Sequence, residues 1–204
     1  MRLGELTGYK DSGYHPVAKQ VFKNPTGDEN PNRSEFSREF QLQKWTQFLE
    51  QKGFKHLGSG QFGGTYEKPG YPWVFKVFKN DPAYLYYFKY IRTHQNNVNV
   101  PKIKGNVIKI NEDTFAVRLE KLTPIPNELY YHLYAAVRAM VQTEGVRDIH
   151  KDTVKFLATF KKEYPGVFSV VTDMMKLPWR LDLGKANIMM RGNVPVIVDP
   201  IADI

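Results

Sequence analysis

Residues 54–80, FKHLGSGQFGGTYEKPGYPWVFKVFKN, decide how the rest of the chain is read. β-favouring residues flank a glycine run (Gly58, Gly60, Gly63, Gly64) and a Pro69-Gly70 turn, so the stretch predicts strand, glycine loop, strand, turn and strand. Gly58, Gly60 and Gly63 form G-x-G-x-x-G, a weak signal until its flanks are considered. A dinucleotide-binding loop runs from a strand into a helix, whereas the residues after Gly63 predict another strand. A Walker phosphate loop needs Gly-Lys-Ser/Thr, and Gly64-Thr65 supplies no lysine. What is left is a hairpin whose bare backbone closes over phosphates, with the aromatic Phe62 at its tip, or a plain glycine-rich turn between strands.

Working outward, Lys76 lies thirteen residues after Gly63 in the apolar strand WVFKVF. A protein kinase places there the lysine that holds the α- and β-phosphates, while alternation on an edge strand would leave the same lysine solvated. Near the other end of the chain, RLDLGKANIMMRGNVPVIVDP (residues 180–200) carries Asp182, an amide five residues later at Asn187, a short hairpin, and Asp199 behind Val196, Ile197 and Val198. Phosphoryl transfer needs that order: an acid to take or orient the substrate hydroxyl proton, and an amide oxygen and second carboxylate to hold a metal ion. Lys185, three residues past Asp182, either reaches the γ-phosphate or is a solvated loop lysine. Each residue alone is ordinarily a surface side chain; their order behind a glycine hairpin and a strand lysine is what points to a kinase.

The remaining sequence sets the frame. With 204 residues and 42% hydrophobic content the chain can bury a sizeable core, and one compact globular domain is expected. A formal net charge of +8 suits anionic partners without choosing among them. No concentrated Lys/Arg stripe or aromatic stacking platform supports a nucleic-acid-binding role. The absence of cysteine excludes disulfides, thiolate nucleophiles and Cys-based zinc sites, and fits a reducing compartment. MRLGELTGYK lacks the apolar core of a signal peptide, and no run approaches the roughly 20 apolar residues of a membrane helix. A soluble, cytoplasmic protein is expected.

Residues 1–33, rich in Gly, Pro, Asn and charge, read as an N-terminal arm. Phe36, Phe40, Trp45, Phe48 and Leu49 suit a helix over 34–52, with Ser34 as N-cap and Gly53 as stop. Residues 83–94 read as a helix, and 107–110 and 114–119 as strands. After Pro124 and Pro126, Leu129, Leu133, Val137, Met140 and Val141 predict a helix over 127–144; Val154, Leu157 and Phe160 predict a second, and 167–176 a third. The division is 1–33 arm, 34–122 N-terminal part with its preceding helix, and 123–204 helical part carrying the catalytic loop.

GFKHLGSGQFGGTYEKPGYPWVFKVF, NVPKI and DLGKANIMMRGNVPVIVDPIAD resemble the small serine/threonine protein kinases encoded by T7-type bacteriophages, over roughly residues 53–122 and 167–203. The resemblance implies an α+β, reduced two-lobed protein-kinase-like fold: an antiparallel N-lobe sheet with one inserted helix and a mainly helical, truncated C-lobe. It implies ATP and Mg2+ as cofactors, host proteins or the kinase itself as substrates, a role in host takeover, and the host bacterial cytoplasm as location. Asp182 would be the base, Asn187 and Asp199 the magnesium ligands, and Lys76 the phosphate anchor. Gly58, Gly60 and Gly63 would form the phosphate-covering loop, and backbone groups near Glu120 and Leu122 would receive adenine.

Three departures keep other readings open. The helix AYLYYFKYIRTH has no glutamate to pair with Lys76, which leaves Glu50 or Asp81 as substitutes and its aromatic stripe as core packing. Arg180-Leu181 stands where His-Arg is usual, and Pro200 follows Asp199 where Phe is usual. The sequence ends at Ile204, five residues past Asp199, so the helices that ordinarily bind a peptide substrate are not expected. A pseudokinase that grips a host protein and a small-molecule phosphotransferase are the alternatives.

Overall fold

The computed structural model describes residues 46–60, 63–79, 81–110 and 114–202. These fall into two compact units, one comprising the chain to Asp81 with Lys102–Lys121, the other Pro82–Pro101 with Leu122–Ile204.

The first unit is a five-stranded antiparallel sheet in the order β1-β2-β3-β5-β4. Its strands are β1 (Lys55–Ser59), β2 (Gly63–Glu67), β3 (Trp73–Lys79), β4 (Ile108–Lys109) and β5 (Thr114–Glu120). The Lys68–Tyr71 turn joins β2 to β3 by a Tyr71 N–H to Lys68 C=O bond of 3.0 Å, with Pro69 second and Gly70 third at φ 75°. That third position takes a positive φ, which glycine adopts without steric cost. β3 is paired along its length with β2 and β5, so it is a central strand rather than an edge. Alternation puts Tyr66, Phe75, Val77 and Ala116 on one face, where they pack with Leu49, Phe54 and Ile108 into a core. Each such large side chain buried contributes roughly 1.5–3 kcal/mol. Residues 46–51 are helical and lie on this face through Leu49, and Thr46 and Tyr66 share a hydroxyl hydrogen bond of 2.8 Å. Gly53, at φ 79°, ends the helix, as its sequence predicts; Ser34 lies outside the described residues.

The second unit opens with α1 (Pro82–Thr93), which in sequence separates β3 from β4. It continues through β6 (Thr123–Pro124), α2 (Asn127–Thr143), α3 (Lys151–Glu163), α4 (Pro165–Met175) and β7 (Arg180–Leu181). A 3-10 turn at Lys185–Asn187 then leads into β8 (Ile188–Arg191), β9 (Val194–Ile197) and β10 (Ile201–Ala202). α2 buries Leu133, Ala136, Val137 and Met140, and α4 buries Val167, Val170, Val171 and Met174, both at the i, i+3, i+4, i+7 spacing of a core-facing helix. Two of the predicted stripes are narrower than expected. In α3 only Phe160 is buried and Val154 is 50% exposed, while Val141 of α2 is 47% exposed. No helix among the described residues is long and apolar enough to cross a membrane. The antiparallel sheet and the helical unit together make the α+β architecture that the sequence predicts.

Candidate active site

The glycine hairpin of the first unit is closed by Gly60 N–H donating to Gly63 C=O at 2.8 Å. Its glycines serve different physical ends. A Cβ on Gly63 would lie 2.2 Å from the Val77 carbonyl oxygen and 2.9 Å from Phe78 Cα, so the pairing of β2 with β3 requires glycine there. Gly58 and Gly60 have nothing within 4 Å of such a Cβ: they border open space, the arrangement that lets a backbone lie close to a ligand. Phe62 falls outside the described residues.

Lys76 stands between Thr65 of β2 and Val117 of β5, half-buried, on the face that carries Val74, Phe78 and Leu119. Glu50 belongs to the helical segment packed on the other face, and its charge is felt there by Tyr66, whose phenol is raised by burial and, to a smaller degree, by Glu50. Asp81 is buried at the end of the segment that follows β3. At the far end of β5, Glu120 donates its N–H to Lys102 C=O at 2.9 Å and accepts the Lys102 N–H on its carboxylate at 2.5 Å. Its backbone donor is thus committed to Lys102, before β4; Leu122 follows two residues on, half-buried.

In the second unit the loop that carries Asp182 and Asn187 is tied largely by its own backbone. β7 pairs antiparallel with β10, and Asp182 N–H donates to Pro200 C=O at 2.8 Å, which sets the residue before Asp182 beside the residues after Asp199. The Asn187 amide donates through Nδ2 to Asp182 C=O at 2.8 Å, and its backbone N–H to Gly184 C=O at 2.8 Å. Val198 N–H donates to Asn187 C=O at 2.9 Å, so Asp199 follows one residue after a direct bond to Asn187. The structure therefore gathers Asp182, Lys185, Asn187 and Asp199 into one loop system. Asp182 is exposed, and Asn187 and Asp199 are half-buried. Asn127, at the first position of α2, accepts the Lys185 ammonium on Oδ1, a partner the sequence does not reveal. Tyr130, one turn into α2, has its phenol pKa raised by burial, by Tyr134 and Tyr131, and by the Asp182 charge.

With Nδ2 spent on Asp182, the Asn187 amide presents its oxygen as the remaining donor atom. That oxygen and the Asp199 carboxylate are a hard donor pair suited to magnesium, which takes one or two protein oxygens and completes its shell with phosphates and water. Among the described residues no group of three or more His, Asp or Glu could by itself hold a metal ion.

The profile of the bacteriophage T7 protein kinase 0.7 family matches residues 20–202. A search of curated proteins gives no match. Among solved structures, a thermostable mutant of an aminoglycoside phosphotransferase, in ternary complex with ADP and hygromycin B, is similar at 12% identity and a TM-score of 0.38. The match covers 78% of this chain and 72% of that one.

Proposed function

This chain belongs to the bacteriophage T7 protein kinase family and phosphoryl transfer is its chemistry; we propose that it moves the γ-phosphoryl group of ATP, with magnesium, to serine or threonine hydroxyls of host proteins or of itself. The observation that supports this most directly is the pair of hydrogen bonds, one from the Asn187 side chain to Asp182 C=O and one from Val198 N–H to Asn187 C=O, that joins Asp182, Asn187 and the residue before Asp199. Asp182 accepts the hydroxyl proton as the substrate oxygen bonds to the γ-phosphorus and the bond to the β-phosphate oxygen breaks, releasing ADP. Lys185, steered by Asn127, supplies positive charge to the transferring group. Lys76 holds the α- and β-phosphates, and the open backbone at Gly58 and Gly60 covers them. Asn187 and Asp199 would hold magnesium, which when bound neutralises charge on the β- and γ-oxygens. Little covalent chemistry is asked of the protein, so positioning and electrostatics supply the rate.

The absence of an acid from α1 favours a second reading, a non-catalytic binding module. One experiment separates the two. Asp182→Ala should abolish labelling of protein substrates from radioactive ATP while nucleotide binding, followed by calorimetry, persists. Undiminished labelling by this variant would overturn the assignment, and no ATP binding by the parent chain would favour the module.

A further inference from the structure

We propose that Tyr87 of α1 is a positioning residue for the magnesium ligands, acting through one peptide plane between Ile197 and Val198. This deepens the reading above, since it rests on Asn187 and Asp199 holding the metal. Tyr87 is fully buried, and its hydroxyl donates to Ile197 C=O at 2.6 Å. The N–H of the same planar peptide unit is that of Val198, which donates to Asn187 C=O at 2.9 Å. One rigid plane is therefore held at its oxygen by α1 and at its nitrogen by one candidate ligand, and the next residue after it is the other. The preceding backbone is held by the same stretch of chain. Ile197 N–H donates to Asn99 C=O at 2.9 Å, and Asn99 Nδ2 donates to Pro195 C=O at 2.6 Å. Removing the Tyr87 hydroxyl leaves the plane free to turn about its remaining bond, which shifts Asn187 C=O and the Asp199 Cα together. The phenol itself is held well above its ordinary pKa by burial, then by Tyr90 and by the Asp199 charge.

Tyr90, one turn later, is the internal control. Its hydroxyl donates to Asp173 Oδ2 at 3.0 Å, tying the same helix to α4 rather than to β9. Phenylalanine at either position keeps the ring that fills the core. The test measures Mn2+ affinity for the ATP-bound full chain by electron paramagnetic resonance, alongside thermal melting. Tyr87→Phe should weaken metal affinity about tenfold, as loss of a residue that orients metal ligands typically does. ATP affinity without metal should stay at the parent value. Tyr90→Phe should lower the melting temperature and leave metal affinity unchanged. A donor restored at position 87 by p-aminophenylalanine should recover the parent affinity. Unchanged metal affinity in Tyr87→Phe, an equal loss in Tyr90→Phe, or no recovery with the restored donor each overturns the proposal. Asp199→Asn tests the underlying reading separately: if it binds metal as the parent does, Asp199 is not a ligand.

Discussion

Gly63→Ala and Gly58→Ala lie five residues apart in one hairpin and should behave oppositely. At Gly63 the new methyl would lie 2.2 Å from Val77 O and 2.9 Å from Phe78 Cα, both backbone atoms of the central strand β3. Neither atom can swing aside as a flexible side chain would, so β2 must move off β3 by about 1 Å to reach ordinary contact distance. Overpacking of this kind costs about 1–3 kcal/mol, and each weakened ladder hydrogen bond about 0.5–1.5 kcal/mol more. Against this, replacing glycine by alanine gains roughly 0.4–1 kcal/mol from the unfolded chain. With two ladder bonds weakened the net destabilisation is about 1–6 kcal/mol, which for a chain of this size lowers the melting temperature by roughly 2–24 °C. Gly58→Ala meets nothing within 4 Å, so its melting temperature should match the parent, while its methyl occupies the space assigned to phosphates and raises the KM for ATP. Differential scanning calorimetry and initial-rate kinetics on the two variants give the answer. Melting temperatures within 2 °C of each other would refute the structural role of Gly63, and an unchanged KM in Gly58→Ala would refute the phosphate-covering role of Gly58.

Other outcomes are expected from the same geometry. Asn127→Ala frees the Lys185 ammonium and should lower kcat by up to about tenfold, equivalent to 1.4 kcal/mol, with the KM for ATP unchanged; unaltered kinetics in both Asn127→Ala and Lys185→Ala would leave Lys185 a solvated loop residue. Alkaline pH should destabilise the fold, because Tyr66, Tyr87, Tyr90 and Tyr130 all have pKa values raised above the ordinary 10.0, with burial the first cause in each. The sign follows from linkage: below pH 10 both states keep these protons, and above it the unfolded chain loses them first, so stability falls as pH rises. Urea midpoints measured from pH 8 to 11 should hold steady up to about pH 10 and decline above it, and Tyr90→Phe should make that decline shallower.

Much of the candidate site's geometry was legible because its residues are neighbours in sequence. The Asp182–Asn187 spacing reflects a loop that bonds to itself, with Asn187 Nδ2 returning to Asp182 C=O five residues back. The glycine hairpin and Lys76 likewise belong to three consecutive strands. Helices α2 and α4 were legible because each buries one continuous face at the i, i+3, i+4, i+7 spacing. Val154 and Leu157 of α3 carry the same spacing without being buried, since period alone does not say whether a neighbouring element covers the stripe. What the sequence concealed are the tertiary struts. Asn127 meets Lys185 across 58 positions, Asn99 meets Pro195 across 96, and Tyr87 meets Ile197 across 110. No local pattern marks a tyrosine as a hydrogen-bond donor to a distant carbonyl, and within AYLYYFKYIRTH it looks like any other core aromatic.

Those struts also give a physical sense to the missing glutamate of α1. Three tyrosines attach the helix to three different parts of its own unit: Tyr87 to β9, Tyr90 to Asp173 of α4, and Tyr86 by an edge-on ring contact of 4.9 Å to Trp179 just before β7. Ala83, Tyr84, Leu85, Tyr87, Phe88, Tyr90 and Ile91 are all buried, so the apolar surface wraps most of the helix circumference. A carboxylate at any of these positions would be taken out of water among aromatic rings, at a cost of several kcal/mol unless a cation met it there. A phenol solves the same positioning problem at lower cost, because it is neutral, fills the core with its ring and needs only one acceptor. In this chain α1 is thus built to hold backbone geometry at Ile197 rather than to present a charge, and the Mn2+ affinity of Tyr87→Phe is where that difference becomes measurable.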